Sequence, residues 1–156
     1  FPEGLQRALR DFTASGRSLF LSGSFIATDP WQSPAATDDE RAFVKSVLRY
    51  GYRGGQASRR GEARVVASPA RMARDRYYFN TEPCRDFYSV EAPDALTPVE
   101  GGFTVMRYDD GDQTAAVGYT GGYRSLAMGF PFEAIVDEGQ RDRLMRQIMD
   151  FLEPRK

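Results

Sequence analysis

Histidine is absent from all 156 residues, which removes the side chain most often used to move protons near neutral pH. No Ser-His-Asp or Cys-His arrangement can be assembled from this chain, nor any histidine-based metal site. The lone cysteine, Cys84, excludes an internal disulfide and a multi-cysteine metal site. Although Arg85 follows it, a thiol with no imidazole partner reads as idle. Lysine occurs only as Lys45 and Lys156, so 19 of the 21 basic residues are arginine. Guanidinium forks suit anions, but GC-rich codon usage is the plainer explanation of the bias. Against 22 acidic residues the net charge is −1. No global field favours phosphate backbones or anionic lipid, and nucleic acid is not an expected partner. No run reaches the roughly 18 to 20 apolar residues of a membrane span, and no charged-then-apolar signal opens the chain. It begins Phe1-Pro2-Glu3, without Met, as expected of an excised domain or processed product.

With 41% hydrophobic and 28% charged residues, this length supports one core and one domain, residues 1 to 156. Leu5, Ala8, Leu9 and Phe12 form one stripe of a helix that stops near Gly16. Ser18 to Ser22 is a continuous apolar run closed by Gly23, the mark of a central parallel strand covered on both faces. Residues 28 to 37 carry Pro30, Trp31 and Pro34 and read as surface loop. Thr37-Asp38-Asp39-Glu40 fits a capping box, opening a helix with the stripe Phe43, Val44, Val47 and Leu48 that ends at Gly51.

Residues 53 to 76 are an excursion with one strand-like piece, Ala63 to Ala67. Two aromatic pieces, Tyr77 to Phe79 and Phe87-Tyr88, read as short strands or packed loop. Residues 92 to 102 are Pro and Gly punctuated. Phe103 to Tyr108 alternates like a half-buried antiparallel strand. Asp109 to Asp112 then turns into a strand over Thr114 to Tyr119, and Thr120-Gly121-Gly122 turns again into Tyr123 to Phe130. Leu144, Met145, Ile148, Phe151 and Leu152 make the apolar face of a closing helix from Asp137 to Glu153.

Leu19-Phe20-Leu21-Ser22-Gly23-Ser24 after a helix, and Gly129-Phe130-Pro131-Phe132-Glu133 before the last one, resemble the class I glutamine amidotransferase-like fold. More narrowly, the chain looks like the C-terminal part of that domain in secreted bacterial proteins described as xanthan lyases. The resemblance covers roughly residues 5 to 50 and 113 to 152. It implies a flavodoxin-like three-layer α/β sandwich, with a mostly parallel sheet and C-terminal antiparallel hairpins. It also implies an N-terminally incomplete domain and a secreted, periplasmic or envelope setting. Ser24 falls where the family's nucleophile elbow would be and Glu133 near its orienting acid. The Cys-His pair of the family's enzymes is missing, so its site is degenerate here.

Ser24 would need a base, and Lys45 is the only nonterminal amine candidate; a plain turn at a strand end is the alternative. Asp38-Asp39-Glu40 and Asp109-Asp110-Gly111-Asp112 lack a twelve-residue calcium loop, and capping and hairpin geometry account for them. Glu82, Asp86, Glu100 and Glu133 are the candidates for a glycosidase carboxylate pair, which needs two carboxylates facing across a cleft. Trp31, Tyr50, Tyr52, Tyr77, Tyr78 and Tyr88 offer flat faces for sugar rings. Trp31 lies beyond the C-terminal end of the first strand, where open α/β sheets bind ligands, which nominates Trp31, Phe25 and Thr28 as a saccharide contact.

The expectation is a noncatalytic accessory or binding domain linked to polysaccharide processing, without metal or cofactor. Its partners would be a polysaccharide and the missing N-terminal region or a neighbouring domain of the parent protein. The alternatives are a hydrolase using Ser24 or a carboxylate pair, and an assembly domain.

Overall fold

A computed structural model describes residues 1–154. Pro2 precedes helix α1 (Glu3–Ala14), which leads through Gly16 at φ 80° into strand β1 (Leu19–Ser22). A short helix α2 (Thr28–Gln32) follows. Then Thr37 caps α3 (Asp38–Phe43), its hydroxyl accepting from the Glu40 amide at 3.1 Å. Only half of the capping box forms, because the Glu40 carboxylate turns to the Phe1 amine. Helix α3 runs on as a π-helical turn over Val44–Leu48. Arg49, at φ 67°, ends it, and Gly51 lies inside the next strand.

The remaining strands are β2 (Tyr50–Gly54), β3 (Glu62–Val65), β4 (Arg76–Tyr78), β5 (Ala95–Pro98), β6 (Phe103–Tyr108), β7 (Thr114–Thr120) and β8 (Arg124–Met128). A 3₁₀ turn (Phe132–Ala134) precedes α4 (Glu138–Leu152), which is capped by the Asp137 carboxylate. The sheet order is β1-β8-β7-β6-β3-β4, with β2 joined through β5 to β7.

The flavodoxin-like, class I glutamine amidotransferase-like sandwich expected from the sequence is overturned. The sheet is a curled, mixed half-barrel with four helices, not a mostly parallel layer between helices. Only β1 and β8 pair in parallel; the other pairings are antiparallel. The reason is loop length. Hairpins of a few residues join β6 to β7 and β7 to β8, and such loops permit only antiparallel neighbours, whereas a parallel pair needs a long crossover. The register shift of β6 on β7 around Met106 is the kind of irregularity that bends a strand and increases its twist.

Strand β1 is not central either: among the described residues it pairs with β8 alone, and all four of its residues are half-buried. The strands covered on both faces are β7 and β8. In β8, Leu126 and Met128 face the cluster under α4, where Leu144, Ile148, Phe151 and Leu152 pack. Ala127 between them joins the opposite cluster of Phe43, Val44, Val47, Leu48 and Tyr50. This alternation makes one body of the two clusters. Helix α1 reaches the second cluster through Leu9 and leaves Leu5 45% and Phe12 37% exposed.

Candidate functional site

At the end of β1 the Gly23 amide still donates to the Met128 carbonyl at 3.3 Å, after which the chain breaks away toward α2. The break occurs at Phe25, whose φ is 62°. A bulky side chain is uncommon in this left-handed region, and holding it there requires support from its surroundings. That support comes from Asp94. Its Oδ2 accepts from the Ala27 amide at 2.7 Å and the Thr28 amide at 3.2 Å, and its Oδ1 accepts from the Thr28 hydroxyl at 2.5 Å. Helix α2 has no capping side chain of its own, so a carboxylate 66 residues away in sequence caps it.

Asp94 is fully buried and is itself pinned. Its amide donates to the Gly129 carbonyl at 2.7 Å, and its carbonyl accepts from the Tyr108 hydroxyl at 2.8 Å. A Cβ on Gly129 would lie 2.2 Å from that same carbonyl oxygen, so only glycine fits there. From the other side the Tyr50 hydroxyl donates to the Ile26 carbonyl at 2.9 Å. Burial pushes the Asp94 carboxyl up from its ordinary value, and the Thr28 and Ala27 hydrogen bonds draw it partly back. Desolvation, and secondarily the Asp94 charge, pushes the Tyr50 and Tyr108 hydroxyls well above their usual range.

The sequence nominees are arranged around this clamp. Ser24 Oγ is buried and has no hydrogen-bond partner among the described residues. The left-handed backbone belongs to Phe25, next to it, whose side chain carries no nucleophile. Lys45 is exposed on the π-helical turn, and Glu133 is exposed on the 3₁₀ turn. That turn docks beside β1 through the Phe132 amide, which donates to Ser22 Oγ at 3.3 Å. No hydrogen bond among the described residues joins Ser24 to Lys45 or Glu133. Of the proposed saccharide contacts, Thr28 gives its hydroxyl to Asp94. Trp31 is half-buried against the α3 cluster and Gly51, and Phe25 is 42% exposed. Tyr50 and Tyr77 are core residues, whereas Tyr78 and Tyr88 reach solvent.

Asp94 escaped the sequence reading. Its signal is faint: it is the single charge between Ala92 and Pro98. The acidic turn at 109 to 112 is spent internally. Asp110 accepts from the Arg59 and Arg60 amides, while Asp109 and Asp112 pair with Arg64. Among the described residues no group of three or more Cys, Asp or Glu side chains is placed to hold a metal ion. Cavities open elsewhere. One of about 700 Å³ lies between residues 69–73 and α4, with Arg124, Gln147 and Asp150 on its wall. Another, of about 480 Å³, lies between α1, the π-helical turn and the β7–β8 hairpin.

No protein-family model matches the chain, and no curated protein sequence does. Among solved structures it is similar to an exo-β-1,4-mannosidase from Opitutaceae bacterium strain TAV5, at a TM-score of 0.51 and 9% identity. The match takes in 96% of this chain and 22% of the mannosidase. At that identity the likeness is one of fold, and the chain spans about a fifth of its neighbour's length.

Proposed function

We propose that this chain is a noncatalytic accessory domain of a larger carbohydrate-processing protein, and that it touches glycan at the loop between β1 and α2. The noncatalytic part is carried by the state of Asp94. A working acid or nucleophile must present a free oxygen to substrate, and both oxygens of the buried carboxylate at this strand end are held by Ala27 and Thr28. It acts as a clamp, and what it clamps is the segment bearing Phe25 and Trp31. The glycan part is supported by those two aromatic side chains and by the domain-sized likeness to part of a mannosidase. No helix among the described residues is long and apolar enough to cross a membrane. A secreted or envelope setting suits a polysaccharide partner.

The test is a titration with soluble mannan and with mannotriose, read by the emission of Trp31, the chain's single tryptophan, and by calorimetry. Binding lost in Trp31→Ala and Phe25→Ala supports the reading; binding that survives both moves the contact elsewhere. A second reading, assembly, is favoured by α1, where Leu5, Ala8 and Phe12 present an apolar stripe to solvent. Under that reading, concentration-dependent self-association would disappear in Leu5→Glu, with glycan binding unchanged.

A further inference from the structure

The smaller of the two cavities differs from the strand end in its chemistry. Its rim carries Arg10 from α1, Arg49 from the end of the π-helical turn, and Tyr119 and Tyr123 from the β7–β8 hairpin, with no carboxylate in its lining. In a chain of net charge −1, two guanidiniums around one hollow concentrate positive potential locally. Arg49 is held in place. Its Nε donates to the Tyr123 hydroxyl at 3.0 Å, its Nη1 to the Glu100 carbonyl at 3.0 Å, and its guanidinium lies 4.1 Å from the Tyr119 ring centre. The Glu100 carboxylate approaches that same Nη1 at 3.6 Å, so Nη2 is the nitrogen left for a ligand. The Tyr123 hydroxyl donates to the Val47 carbonyl at 2.7 Å, which fixes its ring against the π-helical turn. Arg10 is freer, touching only the Ser46 hydroxyl, at 3.4 Å, and the Phe43 face.

We infer that this cavity binds an anionic saccharide, a pyranose carrying a carboxylate, with Arg10 and Arg49 taking the charge and the Tyr119–Tyr123 pair packing against the ring. The planar fork of Arg10 matches a carboxylate in two hydrogen bonds, Arg49 adds charge and its Nη2, and a tyrosine ring offers an apolar face with a polar rim. The volume, about 480 Å³, falls within the ~300–1,000 Å³ of small-ligand pockets. The anionic part rests on the two guanidiniums alone; the saccharide part rests on the function proposed above.

Gly122 supplies a clean probe. A Cβ there meets nothing within 4 Å, so Gly122→Leu fills the mouth without disturbing the fold, and Arg10→Ala removes an exposed side chain. Calorimetry of the full chain at low salt would compare trigalacturonate, a neutral trisaccharide and inorganic phosphate. Trigalacturonate should bind at least about tenfold more tightly than either control, Arg10→Ala should weaken it about tenfold, and Gly122→Leu should abolish it. No binding, binding indifferent to both variants, or equal binding of phosphate or the neutral sugar overturns the inference. Trp31-dependent binding of mannan with no binding of trigalacturonate overturns this inference and leaves the proposed function standing. Trigalacturonate binding that depends on Arg10, with no Trp31-dependent binding of mannan, does the reverse.

Discussion

Replacing Asp94 tests the clamp directly, because alanine and asparagine should behave differently there. Asp94→Ala strips the acceptors from the Ala27 amide and from both donors of Thr28. A buried donor left unpaired costs about 1 to 3 kcal/mol. Two of the three donors are only partly buried and can turn to water, so the net loss should be about 2 to 4 kcal/mol. At the size of this domain that lowers Tm by roughly 5 to 15 °C. Asparagine can keep its carbonyl oxygen toward the two amides and donate its NH₂ to the Thr28 hydroxyl, so Asp94→Asn should lose far less. It also removes a titration.

The Asp94 carboxyl sits above its ordinary value in the fold. Its stabilising contribution is therefore complete below the unfolded value and is lost as pH rises through the folded one. Asp94→Asn should gain on the parent protein as pH is raised from about 4. Guanidinium melts at several pH values, followed by Trp31 emission, read both effects, since Trp31 lies in the helix that Asp94 caps. An alanine variant within about 0.5 kcal/mol of the parent, the range expected of a neutral surface change, would refute the clamp.

Phe20 packs edge-on against Phe132 at 6.1 Å but is only partly buried on an edge strand. Phe20→Ala should cost about 2 kcal/mol by denaturant melting, below the ~3 to 5 of a core aromatic. Gly129→Ala drives a methyl into the Asp94 carbonyl and should abolish a cooperative thermal transition, or lower it more than Phe20→Ala does. The Tyr77 hydroxyl is pushed up to about 12, mainly by burial, and burial also raises Tyr50 and Tyr108 well above their usual range. Raised values mean stability lost as pH climbs from the unfolded value of about 10. Ultraviolet titration should therefore show these phenols ionising only as the protein unfolds.

Local signals were legible where local residues make the element. The α1 and α4 stripes, the Thr37 cap and the β6–β7–β8 hairpins were all read from adjacent residues. Helix α2 was not, because Pro30 and Pro34 look like loop punctuation. Yet Pro30 is the third residue of α2, where a missing N–H is harmless, and the cap comes from Asp94 across the molecule. Strand β5 was hidden for a related reason: four residues ending in proline gain their order from β2 and β7, not from their own pattern. The run Leu19 to Leu21 suggested burial on both faces, but periodicity cannot distinguish a central strand from an edge one whose faces are half covered. That misplacement agreed with the mostly parallel sheet the family resemblance implied, and the antiparallel pairings overturn both. At the strand end, Phe25, Thr28 and Trp31 were nominated by their position after β1. Asp94 and the left-handed Phe25 backbone depend on tertiary contacts that no local pattern encodes.

The central claim, a glycan-associated domain without catalysis, is tested most directly by measuring binding and reducing-end release in the same solution of purified chain and mannan. The account predicts a Trp31-dependent shift in emission with no new reducing ends over prolonged incubation. Reducing ends that accumulate with the parent protein and vanish in Ser24→Ala or Asp94→Asn, with both variants still folded, would contradict it.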